Sequence, residues 1–342
     1  MRRIAPLLSI AAVAALLLTA CSGSGGSSDS SSSTSMPSAS SAALSGCSVK
    51  SGAQSEAVTV SGDVGSAPKA TVPAKLAAKT PQRTVVTTGD GAKAQTGRTL
   101  FGAFSFYDGT TGKEIDAEGY SGQAAFSFTA GSGEAVPVFD DLFGCVTEGS
   151  RVVLAETAKT AFGSSVDSTQ FGVAETDTVV FIGDLLYVAP DLPSTAKANG
   201  KAQAAKSGFP AVKTASSGKP TVTIPKSAKA PTKTQVEVLK KGTGATVKSG
   251  DFVTVQYQGV NWRTGKVFDE SWGRAVATFQ TNAVVAGFTK GLVGQTVGSQ
   301  VVTMMPPADG YGSSGNSDAG IKATDSLVFV IDILVTSHGA AG

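Results

Sequence analysis

The chain has 342 residues, of which 41% are hydrophobic and 16% charged, a composition typical of folded domains with ordinary cores. Its 28 lysine and arginine residues nearly balance 26 aspartate and glutamate residues, so the charge of the whole chain does not indicate a nucleic-acid-binding surface. The single histidine, His338, lies outside the predicted folded repeat, so no Ser/His or Cys/His nucleophile is expected. With the three cysteines otherwise assigned, no transition metal is expected to find its ligands. No phosphate-binding or dinucleotide motif is present, so no cofactor is expected.

The first twenty residues are predicted to be a signal peptide. Arg2 and Arg3 precede an apolar stretch at residues 7–18, which is too short for a transmembrane helix of about 20 residues. The segment ends Leu18-Thr19-Ala20-Cys21, which resembles the lipobox of bacterial lipoproteins. The resemblance implies that Cys21 carries acyl chains that hold the protein to the extracytoplasmic face of the cell membrane. The alternative is an ordinary secretory signal with a chance cysteine.

Residues 21–46 are predicted to be a flexible tether, because serine and glycine dominate and cannot bury a core. With Cys21 committed to lipid, Cys47 and Cys145 remain as a pair. Exported proteins enter an oxidising compartment, so we expect a disulfide between these two cysteines. The alternative is two unrelated buried thiols.

Five short segments recur about 150 residues later in the chain. They are residues 68–73 and 220–225, 111–116 and 264–269, 149–153 and 298–302, 162–163 and 311–312, and 180–184 and 328–332. Because the offset between partners changes so little, the pattern predicts two copies of one domain. The predicted copies are residues 47–192 and 218–337, joined by a linker at residues 193–217 that is rich in Ala, Lys, Ser and Gly.

Within each copy the residue pattern favours strands. Residues 252–257 alternate apolar and polar side chains, residues 300–305 form a β-rich run stopped by two prolines, and residues 326–335 are apolar on both faces. Residues 282–292 are the only predicted helix of the second copy, with Asn282 as its cap. The predicted fold class is therefore α+β, with two tandem half-barrels in which a twisted antiparallel sheet wraps on one short helix.

A series of short motifs follows in the second copy. In chain order they are residues 253–259, residues 265–269, residues 284–292, Gly298, Pro307 with Tyr311-Gly312, and residues 327–329. Each motif is weak alone, but in this order and spacing residues 234–335 resemble an FKBP-type peptidyl-prolyl isomerase throughout. Both copies are accordingly expected to be FKBP-like half-barrels.

The resemblance implies a shallow apolar pocket that receives a proline ring. Phe288 would form its floor, and Asp269 would be a buried acceptor beside it. The Tyr311 hydroxyl would donate a hydrogen bond to a substrate carbonyl. The backbone amide of Ile321 would bind the carbonyl at the rotating bond. The expected walls of the pocket are Tyr257, Phe268, Val284, Val285 and Phe329.

Three features depart from the family pattern. Phe288 stands where most members have tryptophan, which makes a smaller floor. Ala277 stands where a wall aromatic is usual, which predicts a wider and weaker pocket. The loop at residues 313–323 lacks the family's common prolines and histidine, so its substrate contacts are expected to differ.

The first copy keeps fewer of the pocket residues. Its equivalents are Phe104 for Tyr257, Ile115 for Phe268, Asp116 for Asp269, Phe139 for Phe288 and Phe162 for Tyr311. Because Phe162 lacks the hydroxyl, the first copy is predicted to keep the fold with little or no isomerase activity.

The predicted function is a membrane-tethered isomerase that speeds proline-limited folding of exported proteins. Uncatalysed isomerisation takes tens to hundreds of seconds, which is slow enough to limit folding. The resemblance implies proline-containing unfolded or exported polypeptides as substrates and macrolides as ligands. The alternatives are a non-catalytic chaperone or binding module on the same scaffold and, less favoured by the small repeated domains, a solute-binding lipoprotein.

Overall fold

The computed structural model describes residues 44–338 apart from residues 121, 134–135, 165 and 226. These residues belong to one compact unit of the chain. The predicted signal peptide, Cys21 and most of the predicted tether lie outside the described residues. Within the described part, no helix is long and apolar enough to cross a bilayer.

The first half of the described chain folds around one antiparallel sheet. Its helices and strands are α1 (Ala53–Glu56), β1 (Thr59–Ser61), β2 (Lys69–Thr71), β3 (Gln82–Thr87), β4 (Thr99–Asp108), β5 (Lys113–Glu118), β6 (Phe126–Thr129), α2 (Pro137–Phe143), β7 (Ser150–Thr157), α3 (Ala158–Phe162) and β8 (Thr178–Val188). The strand order is β3-β7-β8-β4-β5, with β6 also paired to β4, while β1 and β2 form a separate hairpin. We call this the N-terminal sheet.

The second half folds around another antiparallel sheet, which we call the C-terminal sheet. Its elements are β9 (Lys201–Ala202), β10 (Ala211–Thr214), β11 (Pro220–Thr223), β12 (Gln235–Lys241), β13 (Phe252–Asn261), β14 (Val267–Glu270), β15 (Ala277–Gln280), α4 (Ala286–Leu292), β16 (Gln300–Met305) and β17 (Leu327–Ser337). The strand order is β9-β12-β16-β17-β13-β14, with β15 also paired to β13, and β10 and β11 form a hairpin. From β12 onward this order matches that of the N-terminal sheet strand for strand.

The prediction of antiparallel sheets with few helices is confirmed, and the three predicted strands fall within β13, β16 and β17. The predicted helix was too long. It begins at Ala286, is preceded by Val285 and has no side-chain cap, so Asn282 is not its N-cap. The described helices are short, between four and seven residues, because most apolar positions alternate with the period of a strand.

Each sheet has one face covered by a short helix, the helix face, and an opposite face covered by a hairpin, the hairpin face. Successive side chains of a strand point to opposite faces, so Val301 packs with α4 whereas Val302 packs with β10 and β11. In the N-terminal sheet, Val152 packs with α2 and Val153 with the β1–β2 hairpin. The central strands are therefore buried on both sides, which explains their nearly continuous apolar sequence.

Residues 193–217, which the sequence predicts to be a linker, lie on the C-terminal sheet. The strand β9 pairs with the edge of β12, and Val212 of β10 packs on the hairpin face. The Ser194 carbonyl accepts a hydrogen bond from Gln256 Nε2 at 2.7 Å, and the Ala198 amide donates to Asp332 Oδ2 at 2.8 Å. The predicted domain boundary at residue 218 thus falls within a hairpin that covers this sheet.

The two sheets meet through a small aromatic contact. Tyr187 of β8 stacks on Phe252 of β13 with ring centroids 4.8 Å apart, and the ring of Phe101 lies 5.1 Å from that of Phe252. Gln280 Oε1 accepts a hydrogen bond from the Ala125 amide at 2.7 Å. Phe252 is fully buried, so this contact fixes the N-terminal sheet against the β13–β15 pair.

Cys47 and Cys145 form a disulfide in the structure, with their Cα atoms 5.0 Å apart. The bond ties the turn at residues 45–48 to the end of α2. The two cysteines are 98 residues apart in sequence. For a loop of that length the chain-entropy account gives a stabilisation of roughly 4–5 kcal/mol.

Candidate active site

Five aromatic side chains meet on the helix face of the C-terminal sheet, and each comes from a different element. They are Tyr257 of β13, Phe268 of β14, Phe279 of β15, Phe288 of α4 and Phe329 of β17. Strand alternation directs the four strand residues to this face, and α4 lays its one aromatic residue onto them. We call this group the aromatic cluster.

Phe288 lies at the base of the aromatic cluster. Its ring makes edge-to-face contacts with Tyr257, Phe279 and Phe329, at centroid distances of 5.8, 5.5 and 4.9 Å. Phe268 adds an edge-to-face contact with Phe329 at 5.5 Å. Phe288 and Phe329 are buried while the other three rings are partly exposed, so the cluster has an apolar base and an accessible rim.

A short polar chain lies at the rim. The Tyr257 hydroxyl donates a hydrogen bond to Asp269 Oδ2, and Asp269 Oδ1 accepts one from Arg274 Nη2 at 2.8 Å. Burial, followed by the hydrogen bond and charge of Asp269, raises the pKa of Tyr257, so its hydroxyl remains protonated. Asp269 is an acceptor as the sequence predicts, but it is not buried, since its side chain is 32% exposed.

Tyr311 supplies a second hydroxyl beside the aromatic cluster. It is half-buried and packs against the cluster from the loop that follows β16. Burial is the largest cause that raises the pKa of Tyr311, and the negative charge of Asp269 adds to it. The phenol is therefore a neutral hydrogen-bond donor over the ordinary range of pH.

The backbone donors differ from the prediction. The Ile321 amide was expected to bind a substrate carbonyl, but it donates to the Asn316 carbonyl at 2.8 Å, because residues 316 and 321 form an isolated β-bridge. Val284 and Val285 pack against the aromatic cluster just before α4. Among the described residues, neither the Val284 amide nor the Val285 amide has a hydrogen-bond acceptor, so both are unengaged backbone donors at the cluster.

Phe279 and Arg274 were missed at the level of sequence. Phe279 lies two residues after Ala277 on β15, so both side chains face the cluster, and the missing wall aromatic is replaced from the next position on that face. The alternation of Ala277, Thr278 and Phe279 was the available signal. Arg274 lies five residues after Asp269 in an irregular turn, where spacing alone indicates no partner.

Asp325 fixes the loop whose family prolines are absent. Its carboxylate accepts hydrogen bonds from the Lys322 amide at 2.9 Å, from Asn261 Nδ2 at 2.7 Å and from Arg263 Nε at 2.7 Å. The hydrogen bond from Arg263 is the largest cause that holds the pKa of Asp325 far below its usual range. The end of the loop is therefore held by charge-assisted hydrogen bonds instead of by rigid proline backbone.

In the N-terminal sheet, phenylalanine rings fill the region that corresponds to the aromatic cluster. The ring centroids of Phe104, Phe126 and Phe139 lie 4.6 to 5.5 Å from one another. Phe126 occupies the position of Ala277 in the strand register and is only 8% exposed. An aromatic ring thus occupies the space that an alanine leaves open in the C-terminal sheet.

The same region of the N-terminal sheet lacks the polar rim. Phe104 and Phe162 carry no hydroxyl, and the exposed Asp116 accepts its hydrogen bond from the adjacent Ala117 amide. Phe162 packs on Phe106 with ring centroids 5.6 Å apart. Among the described residues, this region offers no side-chain hydroxyl equivalent to that of Tyr257 or Tyr311.

A carboxyl group is buried beneath α2. Glu156 of β7 has no exposed surface, and neither carboxyl oxygen has a hydrogen-bond partner among the described residues. Burial, with a further contribution from the charge of Asp141, raises the pKa of Glu156 to about 9, so Glu156 is neutral at pH 7. Across the part of the chain that the structure describes, no three His, Cys, Asp or Glu side chains are placed to hold a metal ion.

Residues 244–334 match the sequence model of the family described as FKBP-type peptidyl-prolyl cis-trans isomerase. The chain is 37% identical over 94 residues to the "Probable FK506-binding protein" of Corynebacterium glutamicum, an alignment that covers 27% of this chain and 78% of that protein. It is 32% identical over 119 residues to the FK506-binding protein of Streptomyces anulatus, covering 34% of this chain and 95% of the relative.

Among solved structures, the chain is similar to a peptidyl-prolyl cis-trans isomerase from Pseudomonas syringae pv. tomato. That match has 29% identity and a TM-score of 0.28, and it covers 30% of this chain and 75% of the other. The match to the family model, residues 244–334, spans the aromatic cluster, its polar rim and the loop fixed by Asp325. By virtue of residues 244–334, the chain belongs to the family of FKBP-type peptidyl-prolyl cis-trans isomerases.

Proposed function

We propose that residues 193–338 catalyse cis/trans isomerisation of bonds that precede proline, and that residues 44–192 do not. The observation that carries this proposal is the aromatic cluster with its base of Phe288 and two tyrosine hydroxyls at the rim. The N-terminal sheet has aromatic rings throughout the corresponding region and no such hydroxyls. The activity is therefore assigned to one of two sheets with the same strand order.

The chemistry needs no nucleophile or metal. Rotation about the peptide bond has a barrier of about 18–20 kcal/mol because resonance keeps the amide planar. An apolar pocket favours the twisted amide, in which charge separation is smaller. The Tyr311 hydroxyl and the free Val285 amide would hold substrate carbonyls while the bond rotates. Each tenfold gain in rate requires only about 1.4 kcal/mol of preferential binding to the twisted form.

The proposed substrates are proline-containing unfolded or exported polypeptides. We place the enzyme at the extracytoplasmic face of the cell membrane, anchored by acyl chains on Cys21. The disulfide between Cys47 and Cys145 supports this location, because disulfides persist outside the reducing cytosol. The names of the Corynebacterium and Streptomyces relatives support FK506-type macrolides as ligands of the same pocket.

We propose that the N-terminal sheet is a second, degenerate FKBP-like domain. Its strand order, its short helix on one face and its hairpin on the other support this assignment. A second candidate function follows from it, in which the apolar surface around Phe104 and Phe139 holds unfolded chains without turnover. The partial exposure of these two rings favours that role.

The deciding experiment compares matched variants of the compact unit, residues 43–342, in a proline-tetrapeptide isomerisation assay. Tyr257→Ala and Asp269→Ala are expected to lower kcat/KM by about tenfold or more, because each removes part of the rim. Phe104→Ala and Asp116→Ala, at the corresponding positions of the N-terminal sheet, should leave kcat/KM unchanged. A folded wild-type protein without acceleration would favour the holding role instead.

A further inference from the structure

The near-neutral charge of the whole chain conceals two oppositely charged halves. Residues 44–192 contain 10 basic and 17 acidic residues, whereas residues 193–337 contain 16 basic and 8 acidic residues. The basic excess is concentrated between Asp191 and Asp251, where there are eleven lysines, no arginine and a single acidic residue, Glu237. This segment contains β9 at the edge of the C-terminal sheet, the β10–β11 hairpin on its hairpin face, and β12.

Most of these lysines are exposed and without an ionic partner. The exposed members are Lys197, Lys201, Lys206, Lys213, Lys219, Lys229, Lys233, Lys241 and Lys248, which we call the lysine surface. Among the described residues of the segment, only Lys219 makes an ion pair, with Glu270. Glu237 is buried, accepts a hydrogen bond from the Lys206 amide and makes no ion pair with a described lysine.

Two lysines stand directly opposite each other at the edge of the C-terminal sheet. Lys201 of β9 pairs in register with Lys241 of β12, and the one acidic residue of these two strands, the buried Glu237, lies four positions from Lys241. Like charges that face each other across a ladder destabilise the pairing. The pair concentrates positive charge at this edge, which favours a negatively charged partner.

The lysine surface also has a defined orientation relative to the aromatic cluster. Lys213 lies on the β10–β11 hairpin, whose inward side chains cover the hairpin face of the sheet. The aromatic cluster occupies the helix face, on the opposite side. A partner bound along the hairpin and the β9 edge would therefore leave the proposed active site open.

We propose that the lysine surface binds the anionic headgroups of a membrane. The absence of arginine favours a diffuse layer of charge over a site for bidentate recognition. The inference rests on the proposed anchor at Cys21, which would keep the folded unit near the bilayer. There the acidic N-terminal sheet would be repelled and the lysine surface attracted.

The test uses the unlipidated unit, residues 43–342, so that its result is independent of any modification at Cys21. We expect it to co-sediment with vesicles that contain anionic phosphatidylglycerol and to bind them less as the salt concentration rises. It should not bind vesicles of phosphatidylcholine alone. Replacing Lys201, Lys213 and Lys241 by Gln should weaken vesicle binding by about 100-fold, since each lysine near an anionic surface contributes about fivefold.

The matched control replaces three exposed lysines of the N-terminal sheet region, Lys69, Lys79 and Lys113, by Gln, and should keep full binding. Equal binding by the two triple variants, or equal binding to both kinds of vesicle, would overturn the proposal. Preference for a soluble polyanion such as polyphosphate over vesicles, at equal phosphate concentration, would also overturn it and assign the surface to an anionic polymer. The anchor is tested separately with a Cys21→Ser full-length chain. If that chain is no longer attached to the cell membrane while the unlipidated unit still binds anionic vesicles, the anchor and the lysine surface act independently.

Discussion

Glu156 places a carboxyl group in the core of the N-terminal sheet, at a position that is apolar in the C-terminal sheet. In the C-terminal sheet the corresponding position of the register holds Met305, which packs against Gly287 of α4. In the N-terminal sheet the same position carries a carboxyl group beneath α2, facing Asp141. The Arg83 guanidinium donates to the Asp141 carbonyl at 2.7 Å and offsets part of the charge there. Burial, with a further contribution from the neighbouring Asp141, keeps Glu156 in its neutral form.

This burial predicts a pH dependence of stability. The pKa of Glu156 is about 9 in the folded protein and near 4.3 in an unfolded chain, so the folded state binds the extra proton between these values. The free energy of unfolding should therefore fall as pH rises from about 4.5 to about 9, by roughly 2–4 kcal/mol between pH 5 and pH 8. Glu156→Gln should remove this part of the dependence, which denaturant titrations at both pH values would measure. Parallel pH profiles for the two proteins would contradict it.

At the scale of elements, the β10–β11 hairpin is an integral part of the C-terminal sheet. Val222 points inward onto Val302 and Val330, while its neighbour Thr221 is exposed on the outer side. Val222→Ala should lower the free energy of unfolding by about 1–2 kcal/mol, because it removes partly buried methyl groups. Thr221→Ala is the control and should change it by less than about 0.5 kcal/mol. Equal effects of both substitutions in denaturant titrations would mean that the hairpin does not stabilise the sheet.

The hairpins also mark where sequence patterns stop being informative. Residues 252–257 are recognisable as a strand because their apolar and polar side chains alternate with a period of two, although both faces of β13 are buried. Lys201–Ala202 and Ala211–Thr214 are too short and too polar to show any period, and they become strands only because β12 and β11 offer them hydrogen bonds. Residues 193–217 therefore have the composition of a linker although they cover a sheet.

In the candidate site, too, the sequence predicted the side chains but not the state of the backbone donors. The order of motifs predicted eight of its side chains and the Ile321 amide, and the structure brings these side chains together. Whether the Ile321 amide is free depends on a bridge to Asn316 across an irregular loop, which no residue pattern specifies. The roles of these residues in catalysis stay predictions until variants are assayed.

At the scale of the whole molecule, Phe252 joins the two sheets. Its ring has no exposed surface and contacts Tyr187 and Phe101 of the N-terminal sheet. We expect the compact unit to unfold in one calorimetric transition, and Phe252→Ala to lower its stability by about 3–5 kcal/mol and split the transition in two. Leu292→Ala, buried in the C-terminal core away from this contact, should destabilise the protein without the split. A single transition for Phe252→Ala would mean that other contacts couple the sheets.

The last strand of each sheet is also its central strand. The strand β8 lies between β7 and β4, and β17 lies between β16 and β13, so each sheet lacks its middle until residues 178–188 or 327–337 are available. A chain that crosses a membrane from its N-terminus delivers these strands at the end of each half. Neither sheet can close progressively during translocation, and each should assemble only after its whole length has emerged. For a protein proposed to help others fold after export, the N-terminal sheet would then fold while the second half is still crossing, and the C-terminal sheet only after residue 337 has emerged.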